Sequence, residues 1–188
     1  MSFYLKTGLS GARMINGPRL IMEILLDKND QKKLIALHNE NLSNNYIHSA
    51  FRDDPTAVTA NSINEDITIK YDTNHQYARD EIEFYSIYYV IKLIPGNIIG
   101  AIDLYGDSHM VEIGIFIDKN HAGKNYGTES VKSVIDFLKK NSTIQKLKWE
   151  CDINNVGSIS IAKKCGFTYS NKTELYPGRF CYVFYLYL

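Results

Sequence analysis

The chain has 188 residues, 45% of them hydrophobic, with 21 Lys+Arg against 21 Asp+Glu. That length and apolar content describe one globular domain that buries its own core without a metal or disulfide staple. The neutral balance excludes a dedicated nucleic-acid binder, which carries a basic excess, and no run approaches the ~18 apolar residues of a membrane span.

Residues 1–18 are Gly-rich and read as a loose N-terminal segment ending at Gly17-Pro18; residues 19–188 read as the single domain. Lys6, Gly8, Gly11 and Arg13 interrupt every apolar run near the N-terminus, so no secretory leader is signalled and a cytoplasmic protein is expected. Arg19 to Leu26 reads as a strand. Asp27 to Asp30 offers helix caps, and Leu34, Leu37 and His38 recur behind them at helical spacing. His38 is expected on the helix surface or at a satisfied edge. Residues 43–80 are polar, hold Asp53-Asp54-Pro55, and are read as running into a helix near Gln76 to Tyr85.

Ile87 to Ile94 is strand-like, Pro95-Gly96-Asn97 is a turn, and Ile98 to Tyr105 completes a hairpin. In the next strand Val111, Ile113, Ile115 and Ile117 face one way, and Glu112, Gly114 and Phe116 the other. A loop, His121 to Gly127, precedes a helix whose Val131, Val134, Ile135 and Leu138 form one apolar stripe. Leu147, Trp149, Cys151 and Ile153 alternate with polar residues as a further strand. A short helix, Val156 to Cys165, stops at Gly166. Two strands joined at Tyr176-Pro177-Gly178 end the chain, and the last, Phe180 to Leu188, is apolar enough to be buried or paired. The sheet must be mixed. Cys151, Cys165 and Cys181 form no CxxC pair and are expected as buried free thiols, with no metal site.

The chemistry is carried by strand 111–117, the loop after it and helix 128–140. The first N–H groups of a helix lack intrahelical partners and, with roughly half a positive charge from the macrodipole, attract anions. Gly123 and Gly127 let the backbone approach closely or take positive φ, Asn125 tolerates the left-handed region, and Lys124 adds charge. The spacing suits a phosphate or diphosphate. It is neither a GK[ST] loop nor GxGxxG.

The stretch from Glu112 to Glu129 resembles the acetyl-coenzyme A motif of the GNAT superfamily. That family's R/Q-x-x-G-x-G/A loop falls here on Ala122, Asn125 and Gly127, so only the last position matches strictly. Asn155-Val-Gly-Ser158 and Lys164-Cys-Gly166-Phe167 resemble the family's N-x-x-S and K-x-G-F. Pro18-Arg19-Leu20 is similar to the opening of the RimJ/RimL-like branch. The resemblance covers residues 18 to about 170, leaving 43–80 unmatched. It implies an α/β (α+β) fold: a mixed, mostly antiparallel central sheet of six to seven strands flanked by about four helices.

The resemblance further implies an N-acetyltransferase that uses acetyl-CoA and no metal, with an amine acceptor whose identity the sequence does not give. The backbone of Ile115, Phe116 and Ile117 would pair with the pantetheine arm and polarise the thioester carbonyl. Ala122, Gly123, Lys124, Asn125, Tyr126, Gly127 and Thr128 would flank the diphosphate, and Asn155 would touch the cofactor arm. Glu112, opposite the Ile stripe, is the first candidate for general base, with Asp103 and Glu150 behind it and His109 as plain loop. Many family members use a tyrosine where this chain has Ala162, so Ser158 is the candidate acid, competing with a role in capping beside Asn155. Ala122 and Asn125 depart from the family, and restoring Arg and Gly there is expected to tighten binding. A degenerate domain that binds acetyl-CoA as a sensor or scaffold is the alternative. An unrelated nucleotide-phosphate binder is disfavoured by segment 155–167. The apolar last strand allows a homodimer.

Overall fold

The computed structural model of the protein describes residues 13–25, 27–41, 77–79, 82–107 and 109–188. Residues 42–76, most of the polar stretch that the family resemblance leaves unmatched, lie outside them. The chain turns at Gly17-Pro18 between strands β1 (Met14–Asn16) and β2 (Leu20–Ile24), which pair antiparallel. Part of the segment expected to be loose is therefore sheet. Helix α1 (Lys28–Glu40) follows, its start fixed by Asp27, whose Oδ1 accepts the N–H groups of Asn29 and Asp30 at 2.9 Å.

The helix expected near Gln76 to Tyr85 is replaced by strands β3 (Tyr77–Arg79) and β4 (Ile82–Leu93), an antiparallel pair. The run from Ile82 to Ile91 is rich in β-branched and aromatic residues, and it has neighbours on both sides, β2 and β5 (Ile98–Gly106). Sheet pairing of such residues outweighs a short helical spacing. The remaining elements are β6 (Met110–Ile117), a 3₁₀ turn (Lys119–His121), α2 (Tyr126–Asn141), β7 (Lys146–Asp152), α3 (Val156–Lys164), β8 (Thr168–Tyr176) and β9 (Arg179–Tyr187).

Among the described residues the sheet has 9 strands in the order β1-β2-β4-β5-β6-β7-β9-β8, with β3 on β4. That exceeds the six to seven expected, because β1 and β3 come from stretches read as loop and helix. Among the described residues there are three α-helices. β6 and β7 pair parallel while every other pair is antiparallel. The last strand is covered on both edges, by β7 and β8.

The alternation in β6 divides the core. Val111 and Ile113 are buried with the apolar stripe of α2, Val131, Val134, Ile135 and Leu138, on one face of the sheet. Phe116, with Val90 and Ala101, is buried under Leu34 of α1 on the other. His38, expected on the helix surface or at a satisfied edge, belongs to this second layer: it is buried, its ring edge-on to Phe116 at 5.3 Å. Gly100 is required where β5 crosses β6, because a Cβ there would overlap the Phe116 carbonyl.

Candidate active site

The parallel ladder between β6 and β7 is short. It joins Met110 to Lys146, Val111 to Leu147 and Glu112 to Lys148, and ends there. β6 continues to Ile117 and β7 to Asp152, so the two strands diverge. β5 occupies the other edge of β6 as far as Ile117. The backbone of Gly114 to Ile117 therefore presents alternate N–H and C=O groups to a wedge-shaped gap, where an extended ligand with amide groups can pair as a strand would.

The loop after β6 closes the wide end of that gap. Gly123 has φ 75° and Asn125 φ 65°. Both are left-handed, as their residue types allow. Asn125 is the N-cap of α2 without capping it by its side chain, and the first intrahelical bond is Glu129 N–H to Asn125 O. The N–H groups of the first turn, Tyr126 to Thr128, thus point out of the helix toward the mouth of the gap. The Asn125 Oδ1 accepts from Lys164 Nζ at 3.3 Å, which links the loop to the end of α3. Gly127 lies close against Ile161 of α3, where a Cβ would come within 2.8 Å of Cδ1. Lys124 Nζ donates to Asn120 O, Ala122 is exposed, and the Thr128 carbonyl accepts from the Cys165 thiol.

The base of the loop is fixed by a buried polar cluster. Asp118 is buried; its carboxylate accepts from Asn41 Nδ2 at 3.0 Å and meets His121 Nδ1 at 2.8 Å. Asn41, fully buried after the end of α1, in turn accepts at its Oδ1 from the Lys119 N–H. Burial pushes the Asp118 carboxyl up, but hydrogen bonds from His121, Asn41 and the Asn120 backbone outweigh it and hold the group below the ordinary value.

Two candidate catalytic side chains lie at different places along the gap. Glu112 stands where the ladder ends, on the α1 face, and its Oε2 is 3.2 Å from Lys148 Nζ. The same ammonium bonds Glu150 at 2.6 Å. Asp103 is opposite Gly114 on the neighbouring strand, and only the missing Cβ of Gly114 leaves its carboxylate room. His109 sits in the turn before β6, its N–H bonded to Asp107. Ser158 is on the other face. Its N–H donates to Asn155 Oδ1 at 3.0 Å, so Asn155 is the N-cap of α3. Its Oγ accepts from Trp149 Nε1 at 3.0 Å. The indole occupies one lone pair, and the hydroxyl hydrogen can go to the adjacent Cys151 sulfur or to an incoming acceptor. Ala162 is fully buried, so no tyrosine fits in its place.

Glu112 and Ser158 thus flank one gap, and residues 115–117 and 122–128 form its wall and mouth. All three cysteines are free and buried, and burial raises their thiols, to about 11 for Cys165 and Cys181. Asp118, His121, Asn41 and Arg19 were not among the sequence candidates. A D-x-x-H spacing in a loop before a helix is the one local signal for the first two. The contacts of Asn41 and Arg19 span 77 and 110 residues and leave no local trace.

A splayed parallel pair that opens on an uncapped helix N-terminus has room for an extended ligand with an anionic end. The sequence matches the acetyltransferase (GNAT) domain family over residues 24–168, and the chain belongs to that family. Among curated relatives, the uncharacterized N-acetyltransferase YjdG of Bacillus subtilis is 28% identical over 90 residues, 46% of this chain and 54% of that protein. The probable N-acetyltransferase YjcK of the same organism is 31% identical over 75 residues, 38% of this chain and 41% of that protein. The matches span about half the length of these relatives or less.

Solved structures share the fold. A GNAT-family acetyltransferase from Bacillus anthracis superposes with a TM-score of 0.71 at 14% identity, covering 93% of this chain and 98% of that one. Spermidine N-acetyltransferase from Vibrio cholerae, in complex with CoA and spermine, gives 0.68 at 16%, covering 90% and 95%. RimL, a ribosomal L7/L12 α-N-protein acetyltransferase in complex with coenzyme A, gives 0.70 at 14%, covering 93% and 98%.

Proposed function

We propose that this chain is an acetyl-CoA-dependent N-acetyltransferase that passes the acetyl group directly to a primary amine, either a protein N-terminus or a small amine. The single observation that carries the reading is the β6–β7 gap opening on the uncapped N-terminus of α2. The gap fits a pantetheine arm and the helix end a diphosphate. Two proteins of the same fold act, by their names, on spermidine and on the α-amino group of a ribosomal protein.

No covalent enzyme intermediate is needed when amine and thioester are held together. The amine nitrogen attacks the carbonyl carbon, the C–S bond breaks, and the sulfur leaves as thiolate. A backbone N–H of residues 115–117 polarises the carbonyl oxygen. Glu112 takes the proton from the amine, directly or through a water. Ser158 gives its hydroxyl proton to the sulfur and regains one from solvent. The indole of Trp149 keeps the Ser158 oxygen in place as this happens.

The deciding experiment is calorimetric titration with acetyl-CoA followed, in the same sample, by thiol release with a panel of amines. Binding with release is the expected result and begins to name the acceptor. Binding without release from any amine favours the sensor or scaffold reading. No binding overturns both.

A further inference from the structure

We propose that Arg19 is a positioning residue for the diphosphate end of the ligand, cancelling the Glu129 carboxylate in the first turn of α2 and holding the Lys124 carbonyl. The inference rests on the acyl-CoA reading of the loop. Arg19 lies in the turn between β1 and β2, yet it reaches three residues of the loop and helix. Its backbone N–H donates to Glu129 Oε1 at 2.7 Å, and its Nε donates to Oε2 at 2.7 Å. Nη2 is 2.7 Å from the same Oε2 and donates to Lys124 O at 3.2 Å. The guanidinium also lies over the Tyr126 ring, 4.6 Å from its centroid.

This pairing answers an electrostatic conflict. An acid in the first turn normally favours its helix. The Glu129 carboxylate, however, is only 12% exposed and stands beside N–H groups that must receive an anion. Left alone it would repel a diphosphate. The Arg19 backbone N–H meets Oε1, while two guanidinium nitrogens converge on Oε2 and one of them also reaches the Lys124 carbonyl, a planar fork that a lysine's single ammonium does not reproduce. By taking the Lys124 carbonyl it also fixes the peptide before Asn125. Gly17 lets the turn lie flat on α2: a Cβ there would come 3.0 Å from Ser133 Oγ and 3.4 Å from Glu129 Oε1.

The test is a mutant cycle read by CoA calorimetry at low ionic strength, with pantetheine, which lacks the diphosphate, as control and thermal unfolding as a check on folding. Arg19→Met is expected to weaken CoA about tenfold, as loss of a screened surface charge pair and a positioning contact would, and to leave pantetheine affinity unchanged. Arg19→Met/Glu129→Gln is expected to recover to within about threefold of wild type, since the repelling charge is gone. Glu129→Gln alone is expected to bind CoA at least as tightly as wild type. A folded Arg19→Met protein with wild-type CoA affinity overturns the proposal. So does a double variant as weak as the single, or an equal loss for pantetheine. If Arg19→Met does not fold, Glu129→Gln decides: weaker CoA binding overturns the inference. A wild-type chain that binds no CoA removes the acyl-CoA reading and this inference with it.

Discussion

The two flanks of the β6–β7 gap are built differently. On the loop flank, residues 118–128, the groups offered to a ligand are backbone N–H groups, held by contacts from α1, α3 and the β1–β2 turn. On the strand flank, Glu112 of β6 and Ser158, in the first turn of α3 against β7, each offer one side chain, held by Lys148 and by Trp149 with Asn155. A site made of backbone survives changes of side chain as long as the conformation is kept. A site made of side chains does not. The departures from the family pattern, Ala122 and Asn125, fall on the tolerant flank, and Asn125 keeps the left-handed conformation that a glycine would supply. Substitutions on the two flanks should therefore separate turnover from binding.

The largest effect is expected at Ser158. Removing a general acid typically costs 10²–10⁴ in rate, so Ser158→Ala should lower kcat by about 100-fold while CoA affinity stays within about twofold. Steady-state kinetics alongside calorimetry tests this. Wild-type turnover would reduce Ser158 to the cap and the indole contact. Next comes Asp118, which supports the tolerant flank from below. Asp118→Asn leaves buried Asn41 and the partly exposed His121 imperfectly paired and should cost about 1–3 kcal/mol of stability at neutral pH. The folded carboxyl sits below its ordinary value, so its stabilisation is complete above roughly pH 4 and is lost as pH falls through the folded value. Denaturant unfolding should show the deficit at pH 7 and a smaller one near pH 3. A deficit of the same size at both would assign the cost to shape rather than charge.

Glu112→Gln ranks third. It should lower turnover at neutral pH by less than the roughly 10²-fold lower bound for a fully engaged general base, since water can take over part of the proton transfer, with CoA affinity little changed. The ion pair with Lys148 makes the outcome informative. If turnover is untouched, Glu112 serves the ladder end and the base lies elsewhere on that face.

What was readable in the sequence follows the same division. The β6 alternation, the α2 stripe, the 155–158 cap and the left-handed Asn125 are local patterns, and each is where spacing put it. The errors came where local pattern and pairing compete. Residues 77–85, read as a helix, belong to β3 and β4, because the pairing of β3 with β4 and of β4 with β5 decides. Met14 to Asn16 looked loose until β2 was there to pair it. His38 sits at a helical position that fits surface or core, and only the placement of Phe116 buries it. The supports of the loop were hidden for the same reason. Arg19 and Asn41 act on residues more than 70 positions away, and no spacing rule spans that distance.

The smallest expected effects test the tolerant flank itself. Ala122 is exposed and extended, with φ −62° and ψ 155°, so an arginine there needs no change of backbone. Ala122→Arg should tighten CoA about threefold at low salt and less near physiological ionic strength, as a screened surface charge would. Asn125 differs. It already has φ 65° and ψ 9°, and its Oδ1 binds Lys164 of α3. The tightening expected from restoring glycine therefore does not carry over to position 125: Asn125→Gly gains no conformation the chain lacks, gives up the Lys164 contact, and frees the unfolded loop at roughly 0.5–1 kcal/mol. It should leave CoA affinity within about twofold of wild type. Asn125→Ala must still enter the left-handed region, at about 1–2 kcal/mol without a compensating bond, and should bind more weakly than either. Calorimetry on the three variants gives the order: Ala122→Arg tightest, wild type and Asn125→Gly together, Asn125→Ala weakest. A glycine variant that binds tenfold tighter would mean that the asparagine side chain obstructs the phosphates. The loop flank would then be as sensitive to side chains as the strand flank, and the contrast between the two would fail.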